Sequence, residues 1–186
     1  MKSKKVILIT IIILLIISIA LTLFILSMPR TLTVAEQFVD DFLSSYQSKD
    51  PRTIEFLTIS AFDDSDMTFH GLQGYIADTL TYRIISERTD ELDIDFIFVD
   101  VEIETVDVAE IIRRYIENTT ETDPNRIQEK LNNLVNSPNA PRRTFQVPVI
   151  VQEFPIGMFV QMNEELSDAL FGGFATFLVD GIFGGN

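Results

Sequence analysis

Four carboxylates in "FIFVDVEIETVDVAEII" (residues 96–112), Asp100, Glu102, Glu104 and Asp107, are spaced so that they could share a proton or hold a hard cation. The plainer alternative is the wet face of a strand that turns into a helix. Like charges at alternate strand positions repel, so this row requires water, arginines or a cation facing it. His70, the one histidine, lies in "DDSDMTFHG" beside Asp63, Asp64 and Asp66. A histidine oriented by a carboxylate can act as a base, and three aspartates supply oxygen ligands for calcium. The segment lacks the central glycine and closing glutamate of the loop of about twelve residues that a dedicated calcium site uses. A loop histidine among acids is ordinarily a solvated one.

Tyr46, Tyr75, Asp78 and Tyr82, with Phe96 and Phe98, have the types that line an apolar cavity and perform acid–base work inside it. They are equally the types that fill a core. No serine has a local histidine partner, no glycine loop is built to cradle phosphate, and the chain has no cysteine, so neither a disulfide framework nor a lipid-modified cysteine is available. No catalytic residue is assigned and no cofactor is implied.

The elements that would position these groups begin with "TVAEQFVDDFLSSYQSKD", where Thr33 and Glu36 form a capping box and Val34, Phe38, Val39, Phe42, Leu43 and Tyr46 an apolar stripe. Asp50 before Pro51 opens a second short helix, "PRTIEFLT", and "LQGYIADTL" is a third. "SAFDDSDMTFHG" between them reads as a loop. From Thr81 the period changes to two. "TYRIISER", a turn at "TDELD" and "IDFIFVDVEIETV" make an antiparallel hairpin. On its second strand Ile97, Val99, Val101 and Ile103 share one face, and Ile94, Phe96 and Phe98 lead into the acids on the other. A second capping box, Asp107 with Glu110, starts "VAEIIRRYIEN", and "PNRIQEKLNNLVN" is a further helix. "TFQVPVIVQEF" and "MFVQM" form the last hairpin, with Pro148 indicating an edge or a bulge. "NEELSDAL" is helical.

Residues 6–28 carry no charge and suffice for a helix across a ~30 Å hydrocarbon layer. A cleaved leader normally has an apolar stretch of about 7–15 residues ending in a small-x-small site; this one is longer and ends "FILSMPR", so a retained anchor is favoured. Lys2, Lys4 and Lys5 place the N-terminus in the cytoplasm. The expected organisation is a cytoplasmic tail (1–5), a transmembrane anchor (6–28), a linker (29–33) and an extracytoplasmic α+β domain (34–186) ending in an apolar, glycine-rich tail (171–186). From residue 31 the chain carries all 28 acids against 10 of the 14 cations, a formal −18 that repels nucleic acid and anionic headgroups. In the tail, Phe171, Phe174, Phe177, Leu178, Ile182 and Phe183 either fold back over the sheet or face a partner or the membrane.

"TVAEQFVDDFLSSYQSKDPRTIEFL", "VEIETVDVAEII" and "VPVIVQEFPIGMFVQMNEELSDALFGG" together resemble the nuclear transport factor 2-like superfamily, in its membrane-anchored extracytoplasmic form from Gram-positive bacteria. The resemblance covers most of residues 33–173. It departs in the last hairpin, where "QEFPIGMF" replaces the lysine, glycine turn and tryptophan usual there. It implies a cone-shaped α+β domain, a curved antiparallel sheet packed on helices, and because that superfamily hosts isomerases, dehydratases, immunity proteins and assembly subunits it implies no reaction. The expectation is a single-pass envelope protein whose domain is a protein-interaction or assembly module. An anchored domain of this type also resembles the scaffold subunit of type IV secretion and conjugation machines, for which self-association through the sheet or tail is expected. The alternative is a binder of a small apolar ligand, or an isomerase- or dehydratase-type enzyme using the cone.

Overall fold

The computed structural model describes residues 31–57, 71–89, 96–174 and 176–177, together with Leu15, Ser18 and Ile19. The chain divides into two units, Met1–Leu32 and Thr33–Asn186. In the first, Leu15, Ser18 and Ile19 are helical and exposed. No helix among the described residues is long and apolar enough to cross a membrane. The expected span 6–28 lies outside the described residues apart from those three.

The second unit opens with α1 (Val34–Gln47). Its capping box is complete: the Glu36 amide donates to Thr33 Oγ1 at 3.1 Å and the Thr33 amide donates to Glu36 Oε2 at 3.0 Å. Val39, Phe42, Leu43 and Tyr46 are buried as the stripe predicts, but Val34 is 74% exposed. The buried arc also includes Ala35 and Glu36, and at about 100° per residue Val34 falls roughly 130° from its centre. Glu36 is tolerated inside because the cap satisfies its carboxylate. A short 3-10 helix, Pro51–Phe56, follows, with Asp50 as its cap accepting from the Arg52 amide at 2.9 Å. Next comes α2 (Leu72–Thr79).

β1 (Thr81–Thr89) pairs antiparallel with β2 (Phe96–Val106) and β2 with β3 (Arg142–Phe154); β3 pairs with β4 (Gly157–Gln161). The sheet order is β1-β2-β3-β4. The β1 register slips between Ile84 and Ser86, a bulge, while β2 and β3 stay in step from Phe96↔Gln152 to Val106↔Arg142. β3 is interior in this order, yet Pro148 does sit at an edge. β4 reaches only Ile150–Phe154, and the side of Pro148 turned from β2 is met by Asn163, whose Nδ2 donates to the Pro148 carbonyl at 3.3 Å.

Between β2 and β3 the chain forms α3 (Val108–Asn118) and α4 (Pro124–Val135); α5 (Glu164–Leu170) follows β4. The expected box at Asp107 is half made. Asp107 accepts from the Glu110 amide at 2.8 Å, but Glu110 turns to Arg113 and Arg114, and the Asp107 amide donates to Pro141 instead, at 2.7 Å. One cluster joins Val39, Phe42, Leu43 and Tyr46 of α1 and Leu166, Ala169 and Leu170 of α5 to Val99, Val101, Ile103, Val147, Val149, Val151 and Val160 of the sheet. A second gathers Ile76, Val106, Val108, Ile111 and Val135, with Tyr75 and Phe174 against it. The α+β class with helices packed on an antiparallel sheet is therefore what the chain adopts. The turn at 90–93, Ile94 and all of the loop at 60–71 except Gly71 lie outside the described residues.

Candidate functional site

The acid row is answered by arginines. Arg83 Nη2 lies 3.1 Å from Glu102 Oε1, Arg88 Nε 3.5 Å from Asp100 Oδ1, and Arg142 Nε 2.6 Å from Glu104 Oε1. Ser86 Oγ adds a hydrogen bond to Asp100 at 2.9 Å, and Arg142 Nη2 also donates to the Thr79 carbonyl at 2.7 Å. Strict alternation along β1 would put Arg88 on the opposite side from Arg83. The bulge at Ile85 restores both to one face, opposite Phe98 and Glu102 respectively.

This face carries two kinds of row. Thr81, Glu104 and Thr144 align across the strands, then Arg83, Glu102 and Gln146, then Ser86, Asp100 and Pro148. Next come Arg88, Phe98, Ile150 and Gln161, and finally Phe96, Gln152 and Phe159. Arg88 stacks over the Phe98 ring at 4.7 Å, and Phe159 meets Phe154 edge-on at 5.7 Å between centroids. Phe96, Phe98, Ile150 and Phe159 are half-buried, and none belongs to either core cluster. The opposite face of the same strands holds the valines and isoleucine that α1 and α5 cover. One side of the sheet is thus core, and the other, which no helix among the described residues covers, is ion-paired at one end and aromatic at the other.

The six expected pocket residues are not brought together. Tyr46 is buried in the first cluster, its hydroxyl donating to the Leu170 carbonyl at 2.9 Å. Tyr82 is partly buried on the same side and donates to Asp40 Oδ1 at 2.9 Å. Burial raises the proton affinity of both phenols, and Asp40 reinforces the effect at Tyr82. Tyr75 packs on the second cluster. Asp78 is half-exposed and paired with Lys49 at 2.7 Å. Phe96 and Phe98 lie on the open face, so they do not close a cavity with the tyrosines.

The described part of the tail folds back. Phe174 packs against the second cluster, and the Gly172 carbonyl accepts from the Val108 amide at 2.9 Å and the Ala109 amide at 3.3 Å. Gly172 thereby shares the N-terminus of α3 with Asp107, a contact that the run of glycines did not disclose. Phe171 and Phe177 are half-buried. Leu178, Ile182 and Phe183 lie outside the described residues, as do Asp63, Asp64, Asp66 and His70. Among the described residues no group of three or more histidine, aspartate or glutamate side chains could hold a metal.

The described residues include two open grooves. One, of about 440 Å³, runs between β3 and α5 past Arg143, Phe145, Glu164, Glu165, Asp168 and Thr176. Asp168 is almost fully buried in its wall and accepts from the Thr176 amide at 2.8 Å. The other, of about 310 Å³, lies between α1 and the 3-10 helix and is lined chiefly by serines, acids and Arg52. Neither joins a nucleophile to a base. No family model, no curated protein and no solved structure matches the chain.

Proposed function

We propose that this protein is a single-pass component of a bacterial cell envelope whose domain from residue 34 onward works as a protein-interaction or assembly module. The observation that carries the interaction role is the open face. Its aromatic end leaves Phe96, Phe98, Ile150 and Phe159 outside the core, while its acids are paired with arginines instead of being offered to a ligand. Half-exposed aromatics on a sheet face that no described helix covers are typical of association surfaces. The uncharged stretch 6–28 and the lysines before it support the anchor and its orientation. The nuclear transport factor 2-like cone, and with it a role as a secretion or conjugation scaffold, is the finer form of the same proposal.

A second reading, a binder or enzyme for a small ligand, rests on the groove beside Asp168, because the six aromatic and acidic candidates do not converge. Two measurements test the leading proposal in intact cells. The chain has no cysteine, so Ser137→Cys introduces a unique thiol, expected to react with a membrane-impermeant maleimide from outside. A photo-crosslinking residue in place of Phe159 is expected to form a covalent protein adduct, and the same residue at Leu134 on α4 none. Protection of the thiol defeats the topology, and absence of any adduct at 159 defeats the interaction role.

A further inference from the structure

We propose that the free edge of β3 is a docking site for an extended segment of a partner protein that carries lysine or arginine and adds to the sheet as a strand in the groove beside α5. This surface is separate from the open face and goes beyond the role proposed above. Pro148 fixes which way the edge points. It stands opposite Asp100 but has no N–H, so the two cannot exchange the paired hydrogen bonds of an antiparallel ladder, and its carbonyl accepts from Asn163 Nδ2 at 3.3 Å. β2 and β3 stay in step here, so every second residue repeats that orientation. The main-chain N–H and C=O groups of Thr144 and Gln146 therefore turn away from β2. β4 reaches only Ile150–Phe154, and these four groups have no main-chain partner among the described residues. Unpaired ladder groups on an exposed strand are a template for another extended chain.

The groove of about 440 Å³ runs along this edge. Phe145 and Val147 line it from the core side of the strand and Gln146 from the opposite side, so it follows the edge instead of lying over one face. Charge decides the occupant. Glu164 and Glu165 are exposed in the α5 wall, and among the described residues neither is ion-paired, whereas Asp100, Glu102 and Glu104 each have an arginine. Arg143 is the cation among the described lining residues and stacks over the Phe145 ring at 4.8 Å. Asn163, just before α5, lies at Pro148, and a Cβ placed on Gly173, just after it, would lie 3.2 Å from Arg143 Nη1. The helix thus runs back along β3, with Glu164 toward the Pro148 end and Arg143 at the other. An added strand meets carboxylates at one end and a guanidinium about four residues, or ~13 Å, away. Basic residues suit the first end and neutral ones the second. A second copy of this chain, at a formal −14, is repelled from such a site.

The test titrates the full-length protein in detergent with a fluorescent, end-blocked hexapeptide, KVKTVT, and with its reverse, TVTKVK, because an added strand can run either way. Saturable binding is expected for one of the two. Replacing both lysines by glutamate should weaken it at least tenfold. N-methylation of one alternate set of backbone amides, but not of the other, should do the same, since only one set faces β3. Gln146→Pro removes an edge N–H without touching the ladder to β2 and should also cost at least tenfold, with an unchanged melting transition as the folding control. Should that variant not fold, the two N-methylated peptides decide. Equal tolerance of both methylated sets would reduce the contact to charge alone and overturn strand addition. Lysine amide binding as tightly as the hexapeptide would assign the groove to a small cation and overturn it too. No binding in either order overturns the docking site, while the adduct at 159 tests the open face independently.

Discussion

Asp100, Glu102 and Glu104 show how a row of identical charges is decided by residues far from it in the chain. Their alternation identifies them as one face of a strand, and repulsion requires something to face them. That the partners are Arg83, Arg88 and Arg142 could not be read from spacing, because Arg83 and Arg88 are five apart and an unbroken strand would separate them. The bulge at Ile85 reverses that. The tyrosines are the contrasting case: their types were compatible with chemistry, but burial and single hydrogen bonds define them. Tyr46 holds α1 to the end of α5. Tyr46→Phe leaves the buried Leu170 carbonyl without this donor and is expected to cost about 1–3 kcal/mol in urea unfolding. The sign of the pH effect follows from the raised phenol. The neutral form is favoured in the folded state, so its contribution is complete below the ordinary tyrosine value of 10.0 and is lost as pH rises above it. The wild-type melting temperature should fall on entering that alkaline range, and Tyr46→Phe should flatten part of the fall.

The helices and strands were largely legible because capping and periodicity are local. Thr33 with Glu36, Asp50 before Pro51, Asp123 before Pro124 and Asn163 each begin a helix, and their side chains accept from the first-turn amides. The half-made box at Asp107 departs from expectation for a non-local reason. Gly172 and Pro141 supply contacts there that make the reciprocal glutamate unnecessary. The turn after α5 is a tight junction. Gly172 has φ +63°, and a Cβ placed on it would lie 2.3 Å from the Val106 carbonyl oxygen. Gly172→Ala combines a left-handed backbone with a backbone clash and is expected to destabilise by at least about 2 kcal/mol. Gly157→Ala serves as the comparison: it carries the positive-φ strain without any atom within 4 Å of the new Cβ. Denaturant midpoints should rank the two, with Gly172→Ala the lower.

Across the molecule, both apolar clusters are drawn from residues 35–174, so the unit beginning at Thr33 contains its own core. A chain starting at Thr31 is expected to melt cooperatively, with a midpoint within a few degrees of the full-length protein in detergent; a non-cooperative melt would show that the core depends on earlier residues. Composition, charge balance, the uncharged stretch 6–28, the absence of cysteine and the positions of most elements follow from the sequence, because each depends on residue types or on neighbours a few positions apart. Which side of the sheet is covered, the match of arginines to the acid row, the separation of the expected pocket residues and the seat of Gly172 on α3 were settled only in the folded chain. Each depends on strand register and on a one-residue bulge, and shifting a strand by one residue exchanges its two faces without altering any local pattern.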